Sequence, residues 1–185
     1  MLSDFSLSWQ LVSSKLFPRF ILVGLDDQQL SLQEWRPGRH RPFPVWKLRL
    51  PQGVCQDGHP FDVEALGDLI GDFLVDQGIV AAHVLAALPP ACSSWRVLSG
   101  AQQSRLARRL DQGALAWLTP LDPCLRLPLA FDEAELTLCD LPGCPDLEVL
   151  VASRRTSINA WIEVFAVAGM SLQRLMPAQL CWMDV

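Results

Sequence analysis

The stretch Val23–Trp35, VGLDDQQLSLQEW, decides the fold. It joins an apolar run, FILVGL (Phe20–Leu25), to a segment that alternates. Leu30, Leu32 and Glu34 fall on one side of that segment, and Ser31, Gln33 and Trp35 on the other. A short apolar run suits a buried strand, and a period of two suits a strand with one face buried. Between them lies the polar DDQQ (Asp26, Asp27, Gln28, Gln29), a turn in which an Asp side chain can bond the local backbone. The question is whether this turn cradles a phosphate or only bends a hairpin.

Working outward, a turn-rich break, RPGRHRP, leads to a second alternating stretch, PVWKLRL (Pro44–Leu50). The three segments read as consecutive strands of a meander. The loop PQGVCQDGHP follows. Asp62 is then the expected N-cap of a helix, with Phe61 and Leu66 at hydrophobic-staple spacing. Leu66, Leu69, Ile70, Phe73 and Leu74 recur at helical spacing, and Gly78 ends the helix as a left-handed cap. Val80–Leu88 (VAAHVLAAL) reads as a strand stopped by Pro89-Pro90, so a parallel crossover onto the meander is expected.

Past the prolines the pattern continues. Trp95–Leu98 reads as a strand. Ser99 and Gln102 have capping-box spacing ahead of a helix carrying Leu106 and Leu110, with Leu115 or Trp117 facing inward. Glu135–Cys139 and Leu147–Ala152 read as a hairpin about LPGCPD. Thr156 is expected to cap a helix bearing Ile158, Trp161, Ile162 and Phe165, closed by Gly169, and Met170–Met176 reads as a last strand. The chain therefore divides into residues 1–90, residues 91–178 with the order strand, helix, strand, strand, helix, strand, and a tail, 179–185. Trp95, Trp117 and Trp161 are assigned to the core of the second unit, and alternation points one of Trp35 and Trp46 outward.

Bulk properties narrow the function. The chain has 185 residues, of which 50% are apolar and 19% charged, enough for a packed core. With a net charge of −5 and no Lys/Arg block, a nucleic-acid surface is not expected. No apolar run reaches membrane-span length and no signal peptide is visible, which points to the cytoplasm. The six cysteines form no CxxC pair and the three histidines do not cluster with them, so a zinc site is not expected.

Several residue groups invite a chemical reading and a plainer one. Asp26 with Asp27 fits a metal–phosphate site, but Asp is common in turns. Asp132 with Glu133 fits acid–base chemistry, but also a solvated cap. Asp57 with His59 is a dyad without a placed nucleophile. Cys139 with Cys144 fits a redox couple, but also inert hairpin thiols. Arg105, Arg108 and Arg109 fit an anionic partner or a solvated helix face. Phe5, Leu7, Trp9 and Leu11 alternate strictly, as an edge strand does. In each case the plainer reading is preferred.

Three stretches carry a family resemblance: LRLPQGVCQDGHPFDVEALGDLIGDFL (Leu48–Leu74), HVLAALPP (His83–Pro90), and LAFDEAELTLCDL (Leu129–Leu141) followed by LEVLVASRRTSINAWIEVFAVAGMSL (Leu147–Leu172). In order and spacing they resemble the N-terminal half of the PilM family. These are actin-like cytoplasmic proteins of type IV pilus assembly, related to FtsA and to the cytoplasmic part of GspL. The resemblance implies an α/β fold of the actin-like ASKHA class with a first subdomain and an inserted α/β subdomain; the family's second lobe is not expected here, because the chain ends at Val185. It also implies a groove between the two that receives the N-terminal tail of a single-span inner-membrane partner such as PilN. Leu85, Ala87, Trp95 and Leu98 are the positions expected to line it.

The chain departs from the family at the first hairpin, where a Gly/Ser-rich phosphate loop follows an aspartate. Asp26 stands for that aspartate, but DDQQ has no Gly or Ser and adds the carboxylate of Asp27. A phosphate cradle needs backbone N–H groups aimed at the anion, which glycine permits. The reading is thus a non-catalytic scaffold without a cofactor, peripheral to the inner membrane through its partner and serving pilus, competence or GspL-type secretion machinery. The alternatives are an actin-like ATP hydrolase working in an oligomer, and a homodimer formed through the N-terminal arm.

Overall fold

The computed structural model describes residues 19–36, 43–99, 129, 133–141 and 144–178. The arm with Phe5 to Leu11, the helix expected after Ser99 with its Leu106, Leu110, Trp117 and three arginines, Asp132, and the tail 179–185 lie outside the described residues.

The meander forms as the alternation dictates. β1 (Phe20–Leu25) pairs antiparallel with β2 (Gln29–Trp35), and β2 with β3 (Val45–Arg49). Ile21, Val23, Leu25, Leu30 and Leu32 point into the core, with Glu34 last on that face. The Glu34 carboxylate, itself buried, accepts from Arg36 at 2.7 Å, and Arg19 lies 3.6 Å away. Trp35 is the outward tryptophan, with its ring edge-on to Phe20. Trp46 turns inward against Phe73.

A two-stranded hairpin follows, β4 (Cys55–Gln56) with β5 (His59–Pro60). It leads into helix α1 (Val63–Asp76), where Asp62 accepts from the Ala65 N–H at 3.0 Å as the sequence anticipates. Phe61 does not staple the helix. It is 64% exposed and lies edge-on to His59, while Leu66 is fully buried. Gly78, at φ +72°, closes α1 with bonds from Gly78 and Ile79 N–H to the Val75 and Leu74 carbonyls.

The chain then enters β6 (His83–Leu88), parallel to β1, which is the expected crossover. Pro90–Cys92 form a single 3-10 turn. β7 (Ser93–Ser99) pairs with β9 (Cys144–Arg154), and β9 with β8 (Ala134–Leu141), giving a three-stranded antiparallel sheet of order β7-β9-β8. Its register sets Ser93 opposite Ser153. Cys144 faces Leu141 and Cys139 faces Val149, so the two thiols are not cross-strand neighbours. Neither forms a disulfide, and both are exposed.

Helix α2 (Arg155–Val167) follows β9 directly. Thr156 lies inside it. The N-cap is Arg154, with no side-chain bond to the helix. Gly169, at φ +70°, ends it as expected. Then β10 (Ser171–Pro177) pairs parallel with β6, so the main sheet has the order β10-β6-β1-β2-β3.

This pairing revises the division at residue 90. α2 and β10 belong with the first sheet, not with the second unit. Trp161, Val164 and Phe165, all fully buried, pack with Leu66, Ile70 and Leu74 of α1 and with Ile21, Val84 and Ala86 in one core. The insertion among the described residues is therefore the 3-10 turn and the sheet β7-β9-β8. Both helices cover the same face of the main sheet. They approach closely because Gly67 faces Val167: a Cβ at position 67 would overlap the Val167 side chain.

Candidate functional site

The first-hairpin turn lies at the carboxyl ends of β1 and β6, where open α/β sheets place their ligands. Asp26 is exposed and spends its Oδ1 on the Gln28 N–H, 3.4 Å away, a local turn contact. Gln28 accepts from the Leu50 N–H at 2.9 Å, and Gln29 is already the first residue of β2, opposite Arg49.

Asp27 reaches out of the turn to the β4–β5 hairpin. Its Oδ2 accepts from the Asp57 N–H at 2.8 Å and its Oδ1 from the Gly58 N–H at 2.6 Å. The Cys55 thiol donates to the same Oδ1 at 3.6 Å. Asp57 and Gly58 both have positive φ, +51° and +73°, the signature of a two-residue type I′ turn, for which Asp-Gly is a favoured pair. Successive N–H groups in such a turn converge and form a small anion-binding concavity. Here its occupant is a carboxylate of the same chain.

The two carbonyls of that turn are also held by side chains. The Cys92 thiol donates to the Asp57 carbonyl at 3.1 Å, and the buried Trp161 Nε1–H to the Gly58 carbonyl at 2.8 Å. Three separate elements (the β1–β2 turn, the 3-10 turn and α2) thus satisfy all four backbone polar groups of residues 57 and 58. Gly58 is required twice. A side chain there would be strained by φ, and its Cβ would overlap Pro89 and sit 2.5 Å from the Cys92 Sγ.

His59 does not pair with Asp57 as a dyad. Its Nδ1 lies 3.1 Å from the Oγ of Ser157, which is 1% exposed and so closed to a substrate. Burial, and after it the negative charge of Asp27, push the Cys55 thiol up to about 12. Burial likewise raises Cys92, against a lowering contact from Ser157. Both thiols stay protonated near neutrality, and a thiol is a far weaker nucleophile than a thiolate. Among the described residues, no three His, Cys, Asp or Glu side chains gather as metal ligands.

The four positions expected to line a partner groove do not share one surface. Leu85 and Ala87 lie on the face of the main sheet away from α1 and α2, half-buried, on a strand paired on both sides by β1 and β10. Trp95 is 42% exposed on β7, beside the exposed Val97, whereas Leu98 is 1% exposed. The sequence reading missed the hairpin lock because it took residues 51–60 as a plain loop. The Asp57-Gly58 pair was the available signal.

A mixed sheet of order β10-β6-β1-β2-β3, with two helices on one face and an insertion ahead of the second, is the actin-like α/β arrangement. Among such proteins the fold is PilM-like. A chain of the PilM-PilN type IV pilus biogenesis complex superposes with a TM-score of 0.64 at 16% identity, over 85% of this chain and 46% of that one. The cytoplasmic domain of EpsL, an inner-membrane component of the type II secretion system of Vibrio cholerae, superposes with a TM-score of 0.56 at 14% identity, over 86% and 57% respectively. The chain thus spans about half the length of these structures. No protein-family model and no curated protein matches it in sequence. None of the described helices is long and apolar enough to cross a membrane.

Proposed function

We propose that this chain is a non-catalytic scaffold of type IV pilus, competence or GspL-like secretion machinery. It binds the cytoplasmic tail of a single-span inner-membrane protein and stays on the cytoplasmic face through that partner. The observation that carries the reading is Asp27. The turn that in a nucleotide-binding relative would offer N–H groups to a phosphate instead extends a carboxylate of its own and consumes the nearest N–H pair. Support for a peptide partner comes from the solved relative, in which PilM is bound to PilN.

Within this reading the contact falls on β7. It presents Trp95 and Val97 together on its exposed face. An exposed aromatic supplies the anchor for such a segment, with the apolar surface around it. β6 is flanked on both sides and offers side chains only, and Leu98 supports the strand from beneath.

The test is calorimetry of the full chain against two probes. One is Mg-ATP. The other is a synthetic peptide of the N-terminal cytoplasmic segment of the single-span membrane protein encoded beside it. Peptide binding that weakens tenfold or more in Trp95→Ala, with no heat from ATP, is the expected result. Clear ATP heat at micromolar concentration without peptide binding overturns the reading in favour of the hydrolase.

A further inference from the structure

The geometry points to the Asp57–Gly58 turn as an oxyanion site whose resident ligand is the Asp27 carboxylate, and which accepts a free carboxylate or phosphate once that side chain is removed. This goes beyond the scaffold reading and does not rest on it.

Three donors converge on one small volume: the N–H groups of Asp57 and Gly58, 2.8 and 2.6 Å from the two carboxylate oxygens, and the Cys55 thiol at 3.6 Å. The donors do not owe their direction to Asp27 alone. The turn has a type I′ backbone set by its two positive φ values, and its carbonyls are tied from the opposite side by Cys92 and Trp161. Gly58 is further wedged against Pro89. When the carboxylate is removed, the N–H pair is left aimed at the place it occupied, and Gly58 is buried, so water replaces that bond poorly. A small oxyanion restores two charge-assisted bonds at once. Asp57 is exposed, so the site opens to solvent on that side.

The experiment is chemical rescue in the full chain. The thermal midpoint of Asp27→Gly is measured in sodium chloride, sodium formate and sodium phosphate at matched ionic strength, beside the wild type and Asp27→Asn. Formate and phosphate stand for the two ligand sources, a carboxylate and a phosphoryl group. The expected result is that at least one of them restores half or more of the shift lost in Asp27→Gly. The same salts move the wild type and Asp27→Asn by less than half of that amount, because their sites are occupied, by the native carboxylate or by an amide of the same shape that accepts from only one of the two N–H groups. An equal response in all three proteins is a general salt effect and overturns the proposal. If Asp27→Gly does not fold in chloride, Asp27→Ser is measured in the same way. Titration with the anion that rescues must also move the backbone amide resonances of Asp57 and Gly58 in the variant. Failure of those two resonances to move overturns the proposal as well.

Discussion

Replacing Gly58 by alanine separates two costs that are usually confounded, backbone conformation and space. Gly53 and Gly58 share a positive φ, +83° and +73°. A Cβ at Gly53 would meet nothing within 4 Å, whereas at Gly58 it would overlap Pro89 and lie 2.5 Å from the Cys92 Sγ. The left-handed conformation costs an L-residue about 1–2 kcal/mol, which is the whole expectation for Gly53→Ala. Overpacking adds about 1–3 kcal/mol in a fixed site, so Gly58→Ala should lose about 2–5 kcal/mol.

The 3-10 turn is the part that must move, and moving it weakens the Cys92 bond to the Asp57 carbonyl. Urea denaturation of the two variants, followed by tryptophan fluorescence, measures the difference directly. At about 2–4 °C per kcal/mol for a chain of this size, it also appears as a midpoint gap of several degrees. Pro89→Ala removes the overlapping ring atoms, so in the Gly58→Ala background it should recover about 0.5 kcal/mol or more by a double-mutant cycle. Equal destabilisation by Gly53→Ala and Gly58→Ala, within about 0.5 kcal/mol, would refute the packing argument.

Other expectations follow from the same contacts. In native protein at pH 8, iodoacetamide should label the exposed Cys139 and Cys144 well before the buried Cys55 and Cys92, read by peptide mass spectrometry. The raised Cys55 value means the folded state holds that proton more tightly than the unfolded chain. Its contribution is therefore complete below about 9 and lost as pH climbs towards about 12, and a denaturation series over that range should show it free of tyrosine titration, since the chain has no Tyr. Gly67→Ala should destabilise by about 1–3 kcal/mol through its clash with Val167, relieved in part by Val167→Ala. Gly71→Ala, whose Cβ would rest 3.4 Å from the Ala168 backbone, should instead be neutral or gain up to about 1 kcal/mol of helix propensity. Circular-dichroism melts of both variants decide it.

The local rules were legible. Period two placed the β1–β2–β3 meander and the inward set Leu30, Leu32 and Glu34, and single residues marked helix ends at Asp62, Gly78 and Gly169. What the sequence did not disclose is long-range pairing. Nothing within Ser171–Pro177 says that it lies beside β6, about ninety residues earlier, because a parallel strand's partner is chosen by tertiary packing. The misassignment of Trp161 to the second unit followed from that, since an amphipathic helix announces a buried face but not which sheet it covers. At the candidate site, the turn chemistry of DDQQ was readable, but its partner was not. That Asp27 should grip residues thirty positions on depends on where Pro89, Cys92 and α2 hold the hairpin.

Ser93 and Ser153 face each other across one antiparallel pair, so the excursion from the main sheet begins and ends almost at one point. Its two stems could be spliced by a tight turn without stretching the strands and helices on either side. Evolution is thus free to lengthen, shorten or retune what hangs from that stem while the body that carries it keeps its shape.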